Sequence, residues 1–130
     1  MKLNLHGPGD QYHIRAYRPG AITVNDQLFY RSLVIGGGEL LADWAPQHIG
    51  ELQAEHLAPI LEMAPEVVLI GTGERLVFPD RMLTAPLYGR GIGVEIMDTG
   101  AACRTYNVLI SEGRAVVAAL IIEAGPQPER

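Results

Sequence analysis

The sequence predicts a single α/β domain, with parallel βαβ units in its C-terminal half and an antiparallel β section at its N-terminus. Three observations lead there. Short apolar runs rich in β-branched residues, Val67–Ile70, Ile92–Met97 and Ala115–Ile122, recur along the second half. Segments with helical spacing separate them, and strand–helix–strand spacing of this kind implies right-handed crossovers between parallel strands. The first third instead alternates polar and apolar residues between turns marked by Pro, Gly, Asn and Asp, as hairpins do.

The elements follow in order. His13–Tyr17 alternates and is broken by Pro19-Gly20. Ala21–Val24 meets the turn residues Asn25-Asp26, which tolerate left-handed conformations. Gln27–Ile35 reads as one long return strand, ended by Gly36–Gly38, and Glu39–Trp44 as a further short strand. Leu52, Leu57, Ile60, Leu61 and Ala64 share a helical face, so a helix is predicted near 53–63, late or kinked because of Pro59 and stopped by Pro65. Val67–Ile70 looks like a strand buried on both faces. A short helix near 80–88 contains Pro86 and is closed by Gly89-Arg90-Gly91; the strand Ile92–Met97 comes next. Thr99 is read as the N-cap of the best-defined helix, whose Ala102, Cys103, Tyr106, Leu109 and Ile110 form one apolar face. Gly113 suits its C′ position, and Ala115–Ile122 is the last buried strand.

Composition bounds the setting. The chain has 130 residues, enough for one domain, read as residues 1–124 with a loose tail at 125–130. At 48% apolar and 19% charged it is too hydrophobic to be disordered. Its longest apolar run, Ala115–Ile122, falls well short of the ~20 residues of a spanning helix, so no membrane insertion is expected. The lone Cys103 and the lack of an apolar leader in Met1–Pro8 point to the cytoplasm. Net charge is −5, the nine Arg are scattered, and Lys2 is the sole lysine; no nucleic-acid partner is expected.

Ligands of open α/β sheets sit beyond the carboxyl ends of strands. Two such ends can be read, Gly71-Thr72-Gly73-Glu74-Arg75 and Asp98-Thr99-Gly100. If they meet, the first-turn N–H groups after Thr99 offer an anion site. Arg75 and Arg104 would add charge, and Asn107 or Tyr106 would orient the ligand. The competing structural reading, commoner for motifs this short, has the glycines permit a turn and Thr99 merely cap. The segment is no phosphate loop, since Glu74-Arg75 replaces Lys-Ser/Thr, and Gly89-Arg90-Gly91-Ile92-Gly93 precedes a strand where a dinucleotide fingerprint would follow one. Cys103 lies on an apolar face, and Ser32 and Ser111 lack the glycines of a nucleophile elbow. His6, His13, His48 and His56 have no metal-ligand spacing. Glu39, Asp43, Glu51, Glu55 and Glu62 read as a solvated face. Trp44 is read first as a core anchor and otherwise as an interface anchor. No catalytic residues, metal or cofactor are therefore assigned.

Together, Pro65–Gly73, Gly91–Thr99, Ala101–Leu109 and Glu112-Gly113-Arg114 carry a Gly-Thr-Gly turn, a Met-Asp-Thr turn and a Thr-Tyr-Asn helix. In these the chain resembles a widespread family of small domains of unknown function that includes a mitochondrial assembly factor of respiratory complex I and an adipogenesis-associated human protein. Trp44 also has a counterpart there. The resemblance implies a three-layer α/β fold with a mixed central sheet, one of whose strands is long and bent. It implies no established activity for bacterial members, while the mitochondrial member works by binding other proteins.

Two functions are thus weighed. One is a non-enzymatic, assembly-factor-like module for protein partners, with an exposed apolar patch around Trp44 or the hairpin. The other is a small-molecule or anion-binding protein or enzyme, with its site between Gly71–Arg75 and Asp98–Asn107. The weakly charged N-terminal β section is compatible with a homodimer.

Overall fold

The computed structural model describes residues 2–4 and 11–123; His6 and the tail at 125–130 lie outside them. Among the described residues the strands are β1 (Lys2–Asn4), β2 (Ile14–Arg18), β3 (Ala21–Val24), β4 (Gln27–Phe29), β5 (Leu33–Gly36), β6 (Glu39–Leu41), β7 (Val67–Gly71), β8 (Gly93–Met97) and β9 (Val116–Leu120). The helices are α1 (Ala58–Glu62), α2 (Arg81–Gly89) and α3 (Thr99–Ser111), with two 3₁₀ turns, Ile49–Glu51 and Ala54–Leu57, before α1.

A six-stranded mixed sheet in the order β1-β6-β5-β9-β7-β8 forms the middle layer, and β2-β3-β4 make a separate antiparallel sheet. Strands β9, β7 and β8 are parallel neighbours; β5, β6 and β1 run antiparallel. Strand period decides the layers, because successive side chains point to opposite faces. Leu33, Ile35, Val67, Leu69, Val116, Ala118 and Leu120 face one cluster, with Cys103, Tyr106 and Ile110 of α3 and Ile14, Ile22 and Val24 of the small sheet. Val34, Val68, Ile70, Val117, Ala119 and Ile121 face the other, with Trp44, Leu52, Leu57, Ile60 and Leu87. The result is three layers: α1 and α2, then the central sheet, then α3 with the small sheet. Each fully buried Leu or Ile contributes about 1.5–3 kcal/mol.

The run Gln27–Ile35 serves two sheets. It leaves the small sheet at Phe29 and enters the central one at Leu33. Ser32 holds this bend: fully buried, its Oγ accepts the Ile122 N–H at 2.9 Å and its carbonyl accepts the Trp44 N–H at 2.8 Å. Its own N–H donates to Gln47 Oε1 at 3.2 Å. The single long strand read over Gln27–Ile35 is thus two strands, β4 and β5, joined by a bend at Tyr30–Ser32.

Three further expectations are corrected. The helix near 53–63 is a 3₁₀ turn followed by α1; Pro59 sits in the first turn of α1, where a missing N–H costs nothing. Strand β8, whose apolar run Ile92–Met97 reads like that of a strand covered on both faces, is not so covered. It has β7 on one side only, so Gly93 and Glu95 are exposed and Val94, Ile96 and Met97 half-buried. Trp44 is buried as a core anchor, its indole N–H donating to the His56 carbonyl at 3.0 Å, so of the two places given for an apolar patch only the hairpin side exposes large apolar residues, Leu28 and Tyr30.

Substituting Ser32→Ala removes the acceptor for a buried N–H at Ile122 while leaving the apolar core intact. Stability in urea denaturation should fall by about 1–3 kcal/mol. A loss near zero would show that the bend is held by packing alone.

Candidate functional site

Parallel pairing of β7 with β8 sets their carboxyl ends side by side, and the two loops singled out in the sequence meet. The Thr72 N–H donates to the Met97 carbonyl at 2.9 Å, and the Thr99 N–H to the Gly73 carbonyl at 2.8 Å. The Thr99 hydroxyl accepts the Gly73 N–H at 2.8 Å and donates to the Ile121 carbonyl at 2.7 Å. One buried side chain thus ties together the ends of β7 and β9 and the start of α3. Only glycine fits at position 71: a Cβ there would lie 2.9 Å from both Cα and Oγ1 of Thr99.

Thr99 is therefore not the cap of α3. That role falls to Asp98, whose Oδ1 accepts the Ala101 N–H at 2.8 Å. A second carboxylate lies across Gly73. A Cβ on Gly73 would fall 2.6–2.9 Å from the Glu123 carboxyl atoms, and Glu123 Oε1 accepts the Glu74 N–H at 3.0 Å. The other oxygen is 3.6 Å from His48 Nε2. Main-chain N–H groups on both sides of the junction are thus engaged by the chain's own carboxylates. Thr72 Oγ donates to the Arg75 carbonyl and accepts the Val77 N–H at 3.2 Å, folding the loop back on itself.

The remaining residues of the sequence-derived set lie elsewhere. The side chain of Arg75 is exposed. Tyr106 is buried, with its hydroxyl donating to the Tyr12 carbonyl at 3.2 Å. Asn107 brackets Ile14: Oδ1 accepts its N–H at 3.1 Å and Nδ2 donates to its carbonyl at 2.6 Å. Asn107 thus fastens the start of β2 to α3, and Tyr106 fastens Tyr12 just before it. Arg104 is exposed at a cavity of about 260 Å³ between these elements, lined also by Arg15, Tyr17, Cys103 and Asn107. Burial pushes the Cys103 thiol up to about 12, which keeps it protonated and a poor nucleophile. Burial likewise raises the Tyr106 and Tyr17 hydroxyls, the latter with help from the Glu74 charge. Among the described residues no group of three His, Cys, Asp or Glu could hold a metal ion. His48 and His56 each accept a backbone N–H through Nδ1, from Gly50 and Gln53, holding the two 3₁₀ turns.

A second surface went unread in the sequence. Leu76, Val77, Phe78, Met82 and Tyr88 are large, apolar and exposed, Phe78 by 70% and Met82 by 77%. Phe78 and Pro79 separate two cavities. One, about 420 Å³, lies toward Ile49, Leu52, Val77 and Met82; the other, about 780 Å³, runs between α2 and β8. The signal was Leu76-Val77-Phe78, three apolar residues in a stretch with no strand or helix to bury them.

Fold and surface define a small three-layer α/β domain with an interlocked loop junction and an uncovered apolar face. The chain belongs to the family described as "Protein of unknown function (DUF498/DUF598)", which matches residues 14–121. It is similar to NADH dehydrogenase [ubiquinone] 1 alpha subcomplex assembly factor 3, at 42% identity over 66 residues in Homo sapiens (51% of this chain, 36% of the relative). For the Danio rerio protein of that name the figures are 33% over 110 residues, 83% and 63%. A Francisella tularensis protein named "13 kDa major membrane protein" is 37% identical over 73 residues, 56% of this chain and 59% of the relative. The matches thus span less than two thirds of each of these relatives. Among solved structures, one from Xanthomonas campestris superposes with a TM-score of 0.83 at 39% identity, covering 98% of this chain and 96% of that one. A Bordetella pertussis protein described as a Mth938-like domain gives 0.78 at 31%, covering 94% of each. No helix among the described residues is long and apolar enough to cross a membrane.

Replacing Thr99 by Val keeps its shape but leaves the Gly73 N–H and the Ile121 carbonyl buried without partners. The loss of stability should be about 2–4 kcal/mol, whereas Thr99→Ser should lose less than about half of that. Chemical denaturation of the two variants checks this; equal losses would mean that the methyl group, rather than the hydroxyl, holds the junction.

Proposed function

We propose that this chain works by binding other proteins, in the manner of an assembly factor, and that its working surface is the apolar face built on α2 and the loop before it. The observation that carries the reading is the cluster of exposed Leu76, Val77, Phe78, Met82 and Tyr88 around two adjoining cavities. Exposed apolar clusters beside concave surfaces mark interaction sites, and aromatic residues are common anchors there. Relatives named as assembly factors support the class of role; the partner of this chain does not follow from their names. Burial of Cys103 and the internal bonding of Thr99, Tyr106 and Asn107 also favour binding over catalysis.

Capture of partners from the source cells by tagged protein tests the reading. Phe78→Asp should reduce capture about tenfold or more, as loss of an anchoring aromatic does. The melting temperature should stay nearly unchanged, because this side chain is outside the core. Undiminished capture by Phe78→Asp would place the working surface elsewhere.

A further inference from the structure

The apolar face borders one edge of the central sheet, where β8 pairs with β7 alone among the described residues. In the parallel ladder with β7, the Gly93 N–H donates to the Glu66 carbonyl, and the Met97 carbonyl accepts the Thr72 N–H. Backbone groups alternate sides along a strand, so Gly93, Glu95 and Met97 turn theirs toward β7. The N–H and C=O of both Val94 and Ile96 therefore point outward, two donors and two acceptors spaced as a strand's are. Beside them runs the cavity of about 780 Å³, walled on its far side by Phe78, Ala85 and Tyr88. An edge strand with a helix alongside and an apolar trough between them is the geometry in which an extended peptide adds a strand and places alternate side chains in the trough.

We propose that β8 receives an extended segment of a partner protein, paired antiparallel, with apolar residues opposite Val94 and Ile96 and a basic residue opposite Glu95. This rests on the protein-binding reading above and names the mode and chemistry of binding. Glu95 is exposed and makes no ion pair among the described residues. A cross-strand Lys or Arg would complement it. The same residue argues against a second copy of this chain as the occupant. The antiparallel register that pairs all five residues of two β8 strands sets Glu95 against Glu95, and like charges directly opposite are unfavourable.

The test uses the whole chain, its amide NMR signals assigned, and a capped peptide of sequence Thr-Ile-Lys-Ile-Thr. Saturable shifts should appear at the Val94 and Ile96 amides. Replacing the peptide's Lys with Glu should weaken binding about threefold or more, and Glu95→Lys should reverse that preference. N-methylation of the peptide's two Ile residues, which removes the donors for the edge and leaves the protein untouched, should weaken binding about tenfold. Absence of binding, indifference to the central charge, or tolerance of N-methylation would each overturn the proposal. So would concentration-dependent shifts of Val94 and Ile96 without peptide, which would identify a second copy as the occupant. If the peptide fails while partner capture still depends on Phe78, only this inference falls. If capture is also independent of Phe78, the protein-binding reading of this face falls with it.

Discussion

The buried Thr99 hydroxyl accepts the Gly73 N–H and donates to the Ile121 carbonyl, while its backbone N–H donates to Gly73. Three parts of the chain, distant in sequence, end at this point: β7, β9 and the first turn of α3. Parallel strands leave their carboxyl ends with main-chain groups that no ladder satisfies, and burying such groups unpaired is costly. Thr99 satisfies two of them with a single side chain. Gly71 makes the approach possible, since any Cβ there would collide with Thr99. Placement of α3 follows, and with it the placement of the small sheet, because Asn107 and Tyr106 on α3 hold Ile14 and Tyr12 in turn.

This interlock also shapes the surface. A switch between parallel neighbours is where α/β sheets commonly open to ligands. Here Asp98 caps the first turn of α3, and Glu123 covers Gly73 and accepts from Glu74. The junction's donors are bonded from within the chain. On the α2 side of the sheet the exposed loop Leu76–Phe78, the outer face of α2 and the edge strand β8 adjoin. In the protein-binding role proposed above, the bonded junction would keep the layers in register, and the α2–β8 face would offer apolar surface and outward backbone groups to a partner.

Much of the fold was legible because local pattern and tertiary environment agree. β7 and β9 are apolar on both faces and are the two strands sandwiched between helical layers. The apolar spacing of α3 marks its buried face. Strand order was not legible in the same way. Ile92–Met97 has nearly the composition of a central strand, yet β8 is an edge, because composition records burial and not neighbours. The bend at Tyr30–Ser32 depends on a hydroxyl bonding to Ile122, 90 residues away, which no local rule reveals. The candidate site divided for the same reason. Gly71, Gly73, Asp98 and Thr99 were close by the logic of adjacent strand ends. Tyr106 and Asn107, both about two turns further along α3, bond to Tyr12 and Ile14 instead. Glu123 entered unannounced from 49 residues beyond Glu74.

At the β7–α3 junction the Gly73, Glu74 and Ala101 N–H groups are bonded by the chain's own Thr99, Glu123 and Asp98. An NMR titration with inorganic phosphate measures this at the Gly73, Glu74 and Ala101 amides, the donors that an anion would have to claim from Thr99, Glu123 and Asp98. With these donors already bonded, no saturable shift is expected at the three amides at millimolar phosphate. Saturable shifts at all three, with release of the Glu123 carboxylate from Glu74, would contradict it and restore the junction as a ligand site.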